Sequence, residues 1–522
     1  MLETMGAKVV ARNARTEIVL LALVAVAVRI AYKAQGMQFD AGPITWYWQF
    51  LEIDQLSRNL WQSLLHLHMQ PPGLNALVAA GLKSLGPAGT SRGFELLFAA
   101  LGVAMNLAFF RLIVLLTGNR PLAWTATLLV AANPVFMIYE NQLFSTHLVA
   151  TLMVLALLFL ERTVSTGRIR WLVGYGLTLL TITLFRSMYH PLWWLAVFAL
   201  GFLGLKPKRQ SIAVGVFLFL AVLAWPLKNL VVFGRFTSST WLGMNLYNTV
   251  YNQSYTPDEM QRYYAGEQRP FRRPAGARSV IGHLPPFSDP ERYDPFISQA
   301  KTGVPVLDAP YRWGRVKNLN NAVYLKASDL YFQEYLDVVR ADPAILLRVF
   351  ASSLGAFFRP ATDNEVLLLD AASRENLRNF HALSTLYDTV FYWRFTAADR
   401  TASTSRTAGV SNALILGYLL VMVWCPVQIL RAFRSDRTRT AVLSFAWLNA
   451  VYVLLVGNLF ENYENMRFRF EIEALVIFAC AVALGDLTAR LRRVTHGAVR
   501  IPANTRSGSR GASRRATMPG AA

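Results

Sequence analysis

Two arginines two residues apart, Arg467 and Arg469, stand with Glu461 and Glu464 in the polar run Glu461-Asn462-Tyr463-Glu464-Asn465-Met466-Arg467-Phe468-Arg469-Phe470-Glu471, pressed between two long apolar stretches. A guanidinium's planar fork matches phosphate oxygens better than lysine's point charge does, and neighbouring carboxylates can fix its direction. Charge so close to a bilayer core is costly and usually functional. A second polar concentration follows the first apolar stretch: Asp40, Glu52, Asp54, His66, His68 and the turn Gln70-Pro71-Pro72. A carboxylate held there can take a proton from an attacking hydroxyl. The two prolines force an extended entry and then begin a helix, which would hold His68 and Gln70 rigid for contact with a phosphate or a sugar hydroxyl. The competing readings are plainer: solvated loop acids, an interfacial belt made of Trp46, Tyr47, Trp48 and Trp61, and ion pairs of purely structural use.

Other polar residues sit at the ends of apolar stretches. Tyr139-Glu140-Asn141 marks a short turn, and Arg186 continues an apolar run with Tyr189-His190-Pro191 beyond it. A lipid phosphate would supply the anion that Arg186 lacks; snorkelling to headgroups is the alternative. Farther on, Ser238-Ser239-Thr240-Trp241-Leu242-Gly243-Met244-Asn245 opens a segment rich in Tyr, Pro and Asn. Rings with amides and hydroxyls suit carbohydrate, although a loop domain that buries tyrosines would read the same way.

The elements that must carry these residues are membrane helices. The chain of 522 residues is 54% hydrophobic and 16% charged, against about 25% charged in soluble domains. Stretches of roughly 20 apolar residues, enough for about 30 Å of hydrocarbon, fall near 17–35, 94–117, 120–138, 143–161, 170–187, 189–205, 210–232, 410–431, 439–458 and 471–489. The fold class expected is therefore an all-α polytopic membrane protein with about ten transmembrane helices. Pro71–Leu85 reads as a surface helix, and Ile345–Phe358 as interfacial or re-entrant. The net charge of +21 sits largely at the N-terminus, in short loops and in an Arg-rich tail, which is a topology signal and not a nucleic-acid footprint. It divides the chain into a cytoplasmic N-terminus and first span (1–35), a first outer loop with the candidate acids (36–92), a bundle (93–232), a large outer segment (233–409), C-terminal spans (410–489) and a basic, disordered-looking cytoplasmic tail (490–522). The two cysteines, Cys425 and Cys480, lie in apolar stretches and support no disulfide framework. His66 and His68 are too few for a convincing metal site, and a divalent cation is left open.

In this order of parts the chain resembles the GT-C integral-membrane glycosyltransferases, of the protein O-mannosyltransferase and aminoarabinose transferase type. The resemblance runs over most of residues 17–489. It is carried by an anchor span, an acidic first loop, the turn His68-Met69-Gln70-Pro71-Pro72, Tyr139-Glu140-Asn141, Arg186 with His190, the Ser238–Asn245 stretch, and Glu464-Asn465-Met466-Arg467-Phe468-Arg469-Phe470. It implies an enzyme of the inner (plasma) membrane that moves a hexosyl or pentosyl group from a polyprenyl-phosphate donor to a glycan, lipid or protein acceptor on the extracytoplasmic face, by inverting displacement. The loop acid after the first span would be the base. The usual Asp-Glu pair is absent, because Asp40 is followed by Ala41, so the base lies among Asp40, Asp54 and Glu52, with Asp40 placed first. Donor contacts would fall to His68, Gln70, Arg186, His190, Glu140, Asn141, Glu464, Arg467 and Arg469. A transporter or flippase of a lipid-linked or anionic envelope precursor is the alternative class, and a non-catalytic scaffold a third.

Overall fold

The computed structural model describes residues 2–497 except 206–208, 257, 260, 261, 263–266, 268–270, 314, 315, 365, 366, 368, 395–408, 462 and 463; side chains of 2–14, 280 and 494–497 are also outside it. The expected basic tail beyond 497 thus lies outside the described residues.

The chain is all-α, with a single two-stranded hairpin (Tyr311–Arg312 against Val316–Lys317) among the described residues. All ten apolar stretches fall on helices. Six of those helices are long and apolar enough to cross a membrane: Gly73–Thr117, Ser145–Thr166, Arg209–Phe233, Asn412–Ala432, Arg437–Phe460 and Asn465–Arg493. The protein is a multi-pass membrane protein. The first helix, Leu2–Ala34, carries Arg29 and Lys33 near its C-terminal end, while Ile169–Phe185 and Pro191–Leu203 are shorter apolar helices of the same bundle. Burial separates central from peripheral spans. Two thirds of the Ser145–Thr166 window is buried but only 22% of Arg209–Phe233, whose Phe217 and Val231 point outward as a lipid-facing surface requires.

Two breaks depart from the simple spans read in the sequence. The stretch 120–138 is two helices, Arg120–Ala131 and Pro134–Glu140, bent by 55°, because the Asn133 side chain accepts from Val135 N–H and starts a fresh helix on Pro134. The helix expected at Pro71–Leu85 is present from Gly73, and one non-helical residue separates it from the apolar helix that runs on to Thr117. The join is Gly86, at φ 69° and ψ 171°, followed by Pro87; only glycine takes that backbone cheaply. Ile345–Phe357 is a short helix of 13 residues with Leu347 exposed and Val349, Ser353 and Phe357 buried.

Two apolar cores result. One fills the bundle, with Trp194 stacked on Phe198 and Phe198 on Tyr175. The other fills a body built from residues 44–82 and 241–349, where Tyr247, Tyr293, Tyr324 and Tyr331 are fully buried. Its tyrosines keep partners: Tyr247 donates to the Gly282 carbonyl at 2.5 Å and Tyr324 to the Ser288 carbonyl at 2.7 Å.

Candidate active site

Where the two cores meet, a cavity of about 930 Å³ opens. The bundle supplies Arg186 and His190 at the ends of the fifth and sixth apolar stretches, Glu461 and Glu464 between the last two helices, and Arg467 and Phe468 in the first turn of the last. The second body supplies Tyr47, Trp48, Gln70, the amides of the Leu242–Asn252 helix, and the Pro285–Arg292 segment with Lys317.

The two wall arginines carry the electrostatics. Arg467 is 2% exposed; one Nη donates to Glu464, while Nε and the other Nη have no hydrogen-bond partner. Arg186 is 5% exposed, with Nε 3.0 Å from Glu471 and one Nη unpartnered. Both guanidiniums lie against the Phe468 ring, at 4.5 Å and 5.5 Å from its centroid. Buried donors without acceptors are expensive, and an anion with several oxygens suits such a wall. Tyr189 donates to the second oxygen of Glu471 at 2.9 Å, which fixes the acid that aims Arg186.

Arg469 behaves differently. Two residues along a helix is a turn of about 200°, so it faces away from the cavity, where Nε donates to the Phe357 carbonyl (2.8 Å), one Nη to Glu473 (2.8 Å) and the other to the Arg359 carbonyl (3.1 Å). Each of its three nitrogens has an acceptor.

Of the other candidates for base and donor contacts, Gln70, His190 and Glu464 line the cavity. Gln70 accepts from the Ser187 hydroxyl at 3.1 Å, and His190 caps the Pro191 helix by accepting from Leu192 N–H. The rest are not on its wall. His68 is clamped between Thr240 (Nδ1, 2.7 Å) and the Asn320 carbonyl (Nε2, 3.0 Å). A carbonyl only accepts, so Nε2 carries the proton; burial pushes the imidazole pKa down to about 3 and keeps it neutral. Glu140 forms a two-pronged pair with Arg29 at 2.6 and 2.8 Å deep in the bundle. Asn141 gives its carbonyl to Asp40 N–H. Asp40 is 1% exposed; its carboxylate accepts from Gly42 N–H (2.9 Å) and from the Ser373 hydroxyl. Burial, with Asp370 nearby, raises its pKa to about 6. Glu52 accepts from Trp313 N–H at 2.7 Å, and Asp54 is exposed in the first turn of the Ile53–Arg58 helix. Among the described residues no group of three or more His, Cys, Asp or Glu is gathered as for a metal.

No family model matches the chain, and no curated protein matches it. Among solved structures it is similar to ArnT from Cupriavidus metallidurans in the apo state, at 14% identity over 94% of this chain and 82% of that one, with a TM-score of 0.32. It is also similar to ArnT from Cupriavidus metallidurans bound to undecaprenyl phosphate, at 12% identity over the same shares, with a TM-score of 0.30. Scores so low leave the backbones far from superposable. The functional reading rests on the cavity's own side chains.

Sequence reasoning missed part of that wall. Asn248, Asn252, Phe287, Asp289, Arg292 and Lys317 all line it. Phe287 has a positive φ of 62°, which is unusual for a bulky residue. Its carbonyl accepts from Lys317 Nζ at 2.8 Å, and burial lowers the pKa of that lysine, with Asp289 opposing. The signal available was the repeat of asparagines at 245, 248 and 252 on one face of a helix; the partner of Lys317 was not readable at all.

Proposed function

We propose that the protein is a GT-C-type glycosyltransferase of the inner membrane that moves a sugar from a polyprenyl-phosphate donor to an acceptor hydroxyl on the extracytoplasmic face. The observation that carries this reading is the pair Arg186 and Arg467, which line one cavity where apolar helices end and together hold three buried guanidinium nitrogens without a hydrogen-bond partner. A lipid phosphate reaches that depth with its chain still in the bilayer.

Two guanidiniums also fit the change of charge during transfer. A sugar-phosphate-polyprenyl diester carries one negative charge, and the departing monoester gains a second. Fixed donors that bind the product-like charge more tightly than the starting diester lower the barrier. Asp40, Glu52 and Asp54 stay off the wall, so we assign the base to Glu464, which Arg467 holds beside the phosphate position and which lies within electrostatic reach of Arg186 and Tyr47. Glu464 takes the acceptor's proton, the acceptor oxygen bonds to the anomeric carbon from the face opposite the phosphate, and the carbon–oxygen bond to phosphate breaks with its electron pair on the leaving group. The configuration inverts. The donor is already activated, so no nucleotide is needed.

The test is binding of undecaprenyl phosphate to purified protein in lipid nanodiscs. Arg186→Ala and Arg467→Ala should each weaken it at least about tenfold, the loss of a charge-assisted hydrogen bond. Unchanged affinity in both variants would remove the phosphate site, and with it the transferase reading.

A further inference from the structure

The Leu242–Asn252 helix has its polar stripe turned the wrong way for a surface helix. Met244, Tyr247, Val250 and Tyr251 are buried in the second core, and Gly243 sits so close to the Val323–Ala341 helix that a Cβ there would lie 1.9 Å from the Ser328 carbonyl oxygen. That close seat fixes the helix's rotation. Asn245, Asn248 and Asn252, at i, i+3 and i+7, then face the cavity instead of open solvent. Asparagine is a poor helix former, and among the described residues the side chains of Asn245 and Asn248 make no hydrogen bond that would repay its use. Such a conflict between local preference and global fold is expected at binding sites.

Trp48, Trp241 and Phe287 form an aromatic cluster on the same cavity, with centroids 5.5 to 6.4 Å apart. Trp241 is 5% exposed, and its indole N–H has no partner. Phe287 holds its place in this cluster despite the left-handed backbone, tied by Lys317.

We propose that the amide stripe and the aromatic cluster form the subsite for the transferred sugar, and that this sugar is a neutral hexose or pentose. The inference rests on the transferase reading above. Amides both donate and accept, as hydroxyls do, and rings stack on the apolar face of a pyranose or furanose. An amino sugar would need an acceptor-only carboxylate on the stripe and a uronic acid a cation; the stripe holds neither. Of the carboxylates and cations that line the cavity, Glu461, Glu464, Arg186 and Arg467 stand at the helix ends, while Asp289 and Arg292 follow Phe287 in the chain and Lys317 donates to its carbonyl, off the amide stripe itself.

The experiment compares two probes on the same protein: undecaprenyl phosphate without sugar, and the same lipid carrying glucose, mannose, arabinose, an amino sugar or glucuronate. The wild type should bind at least one neutral-sugar lipid about tenfold more tightly than the bare lipid and show no such gain for the charged sugars. In the double variant Asn245→Ala, Asn248→Ala the gain should vanish while bare-lipid affinity stays as it was; alanine favours the helix, so loss through unfolding is not expected. A gain that survives in the double variant, or one seen only with the amino sugar or glucuronate, overturns the subsite. Failure of the wild type to bind bare lipid would instead strike the transferase reading, and the subsite with it.

Discussion

Arg467 and Arg469 sit on one helix, two residues apart, both almost fully buried, yet they are opposites in what surrounds them. Arg469 has an acceptor for Nε and for each Nη. Arg467 lines a cavity and has one acceptor and two buried nitrogens without a partner. The Arg29–Glu140 pair repeats the closed pattern deeper in the bundle, and Arg186 repeats the open one. Charge at a membrane boundary therefore divides into two kinds: charge that has been neutralised to join helices, and charge left unfinished for a ligand. Burial does not separate them, but hydrogen-bond accounting does.

The largest effect that would test this division is on stability. Arg469→Ala strands Glu473 in the bundle, and we expect a loss of about 3–5 kcal/mol, read as a lowered unfolding midpoint in detergent, with undecaprenyl phosphate still bound by the fraction that remains folded. A variant that folds normally but fails to bind would erase the contrast. Next comes Glu464→Gln, which keeps shape and cannot accept a proton; turnover should fall by about 10²-fold or more with donor affinity nearly intact. Arg467→Lys keeps the charge and loses the fork, so donor affinity should drop by roughly 1–3 kcal/mol, whereas full retention would mean that a point charge is sufficient.

Asp40→Asn sharpens the same comparison from the other side. Because the folded pKa of Asp40 is raised, from 3.8 to about 6, its carboxyl favours folding most below pH 3.8, and that contribution is lost as pH climbs through about 6. Asparagine does not titrate, so the stability profile between pH 4 and 6 should flatten while turnover changes by less than about tenfold. A collapse of turnover to the level expected for Glu464→Gln would make Asp40 the base. The smallest perturbation is topological: with cysteine at the exposed Lys301 and Ser435, an impermeant thiol reagent should label the first in intact cells and not the second. Labelling at 435 would put the cavity on the other side of the membrane.

The helices were legible because lipid demands length and apolarity, and every apolar stretch of sufficient length became helix. The breaks at Asn133-Pro134 and Gly86-Pro87 were written in their own residue types, yet the first was read through as part of one span, 120–138, and only the second fell at a boundary. Among the site candidates, Arg186, His190, Glu464 and Arg467 came together at one cavity because each stands at the end of an apolar stretch, where two cores meet, and Gln70 joins them just ahead of the helix that begins at Gly73. Asp40 and Arg469 carry the same signal in sequence, and what closes them is remote: Asp40 is met by Ser373, 333 positions away, and Arg469 by carbonyls more than a hundred positions away. Sequence displays a charge without displaying its partner. The asparagine stripe was hidden for a different reason, since polar residues on one face of a helix ordinarily mean solvent.

Gly73 opens the long bent helix directly against the end of the Ile169–Phe185 helix, and a Cβ there would lie 2.6 Å from the Leu184 carbonyl oxygen and 2.7 Å from the Phe185 ring. Arg186 follows those two residues immediately. The gap between the cavity's open guanidiniums is thus gauged by a hydrogen atom at position 73: a methyl group in its place works as a shim, prising Arg186 off its seat while touching neither arginine. A site built to grip one phosphate can in this way be detuned from more than a hundred residues upstream, with every charged group still present.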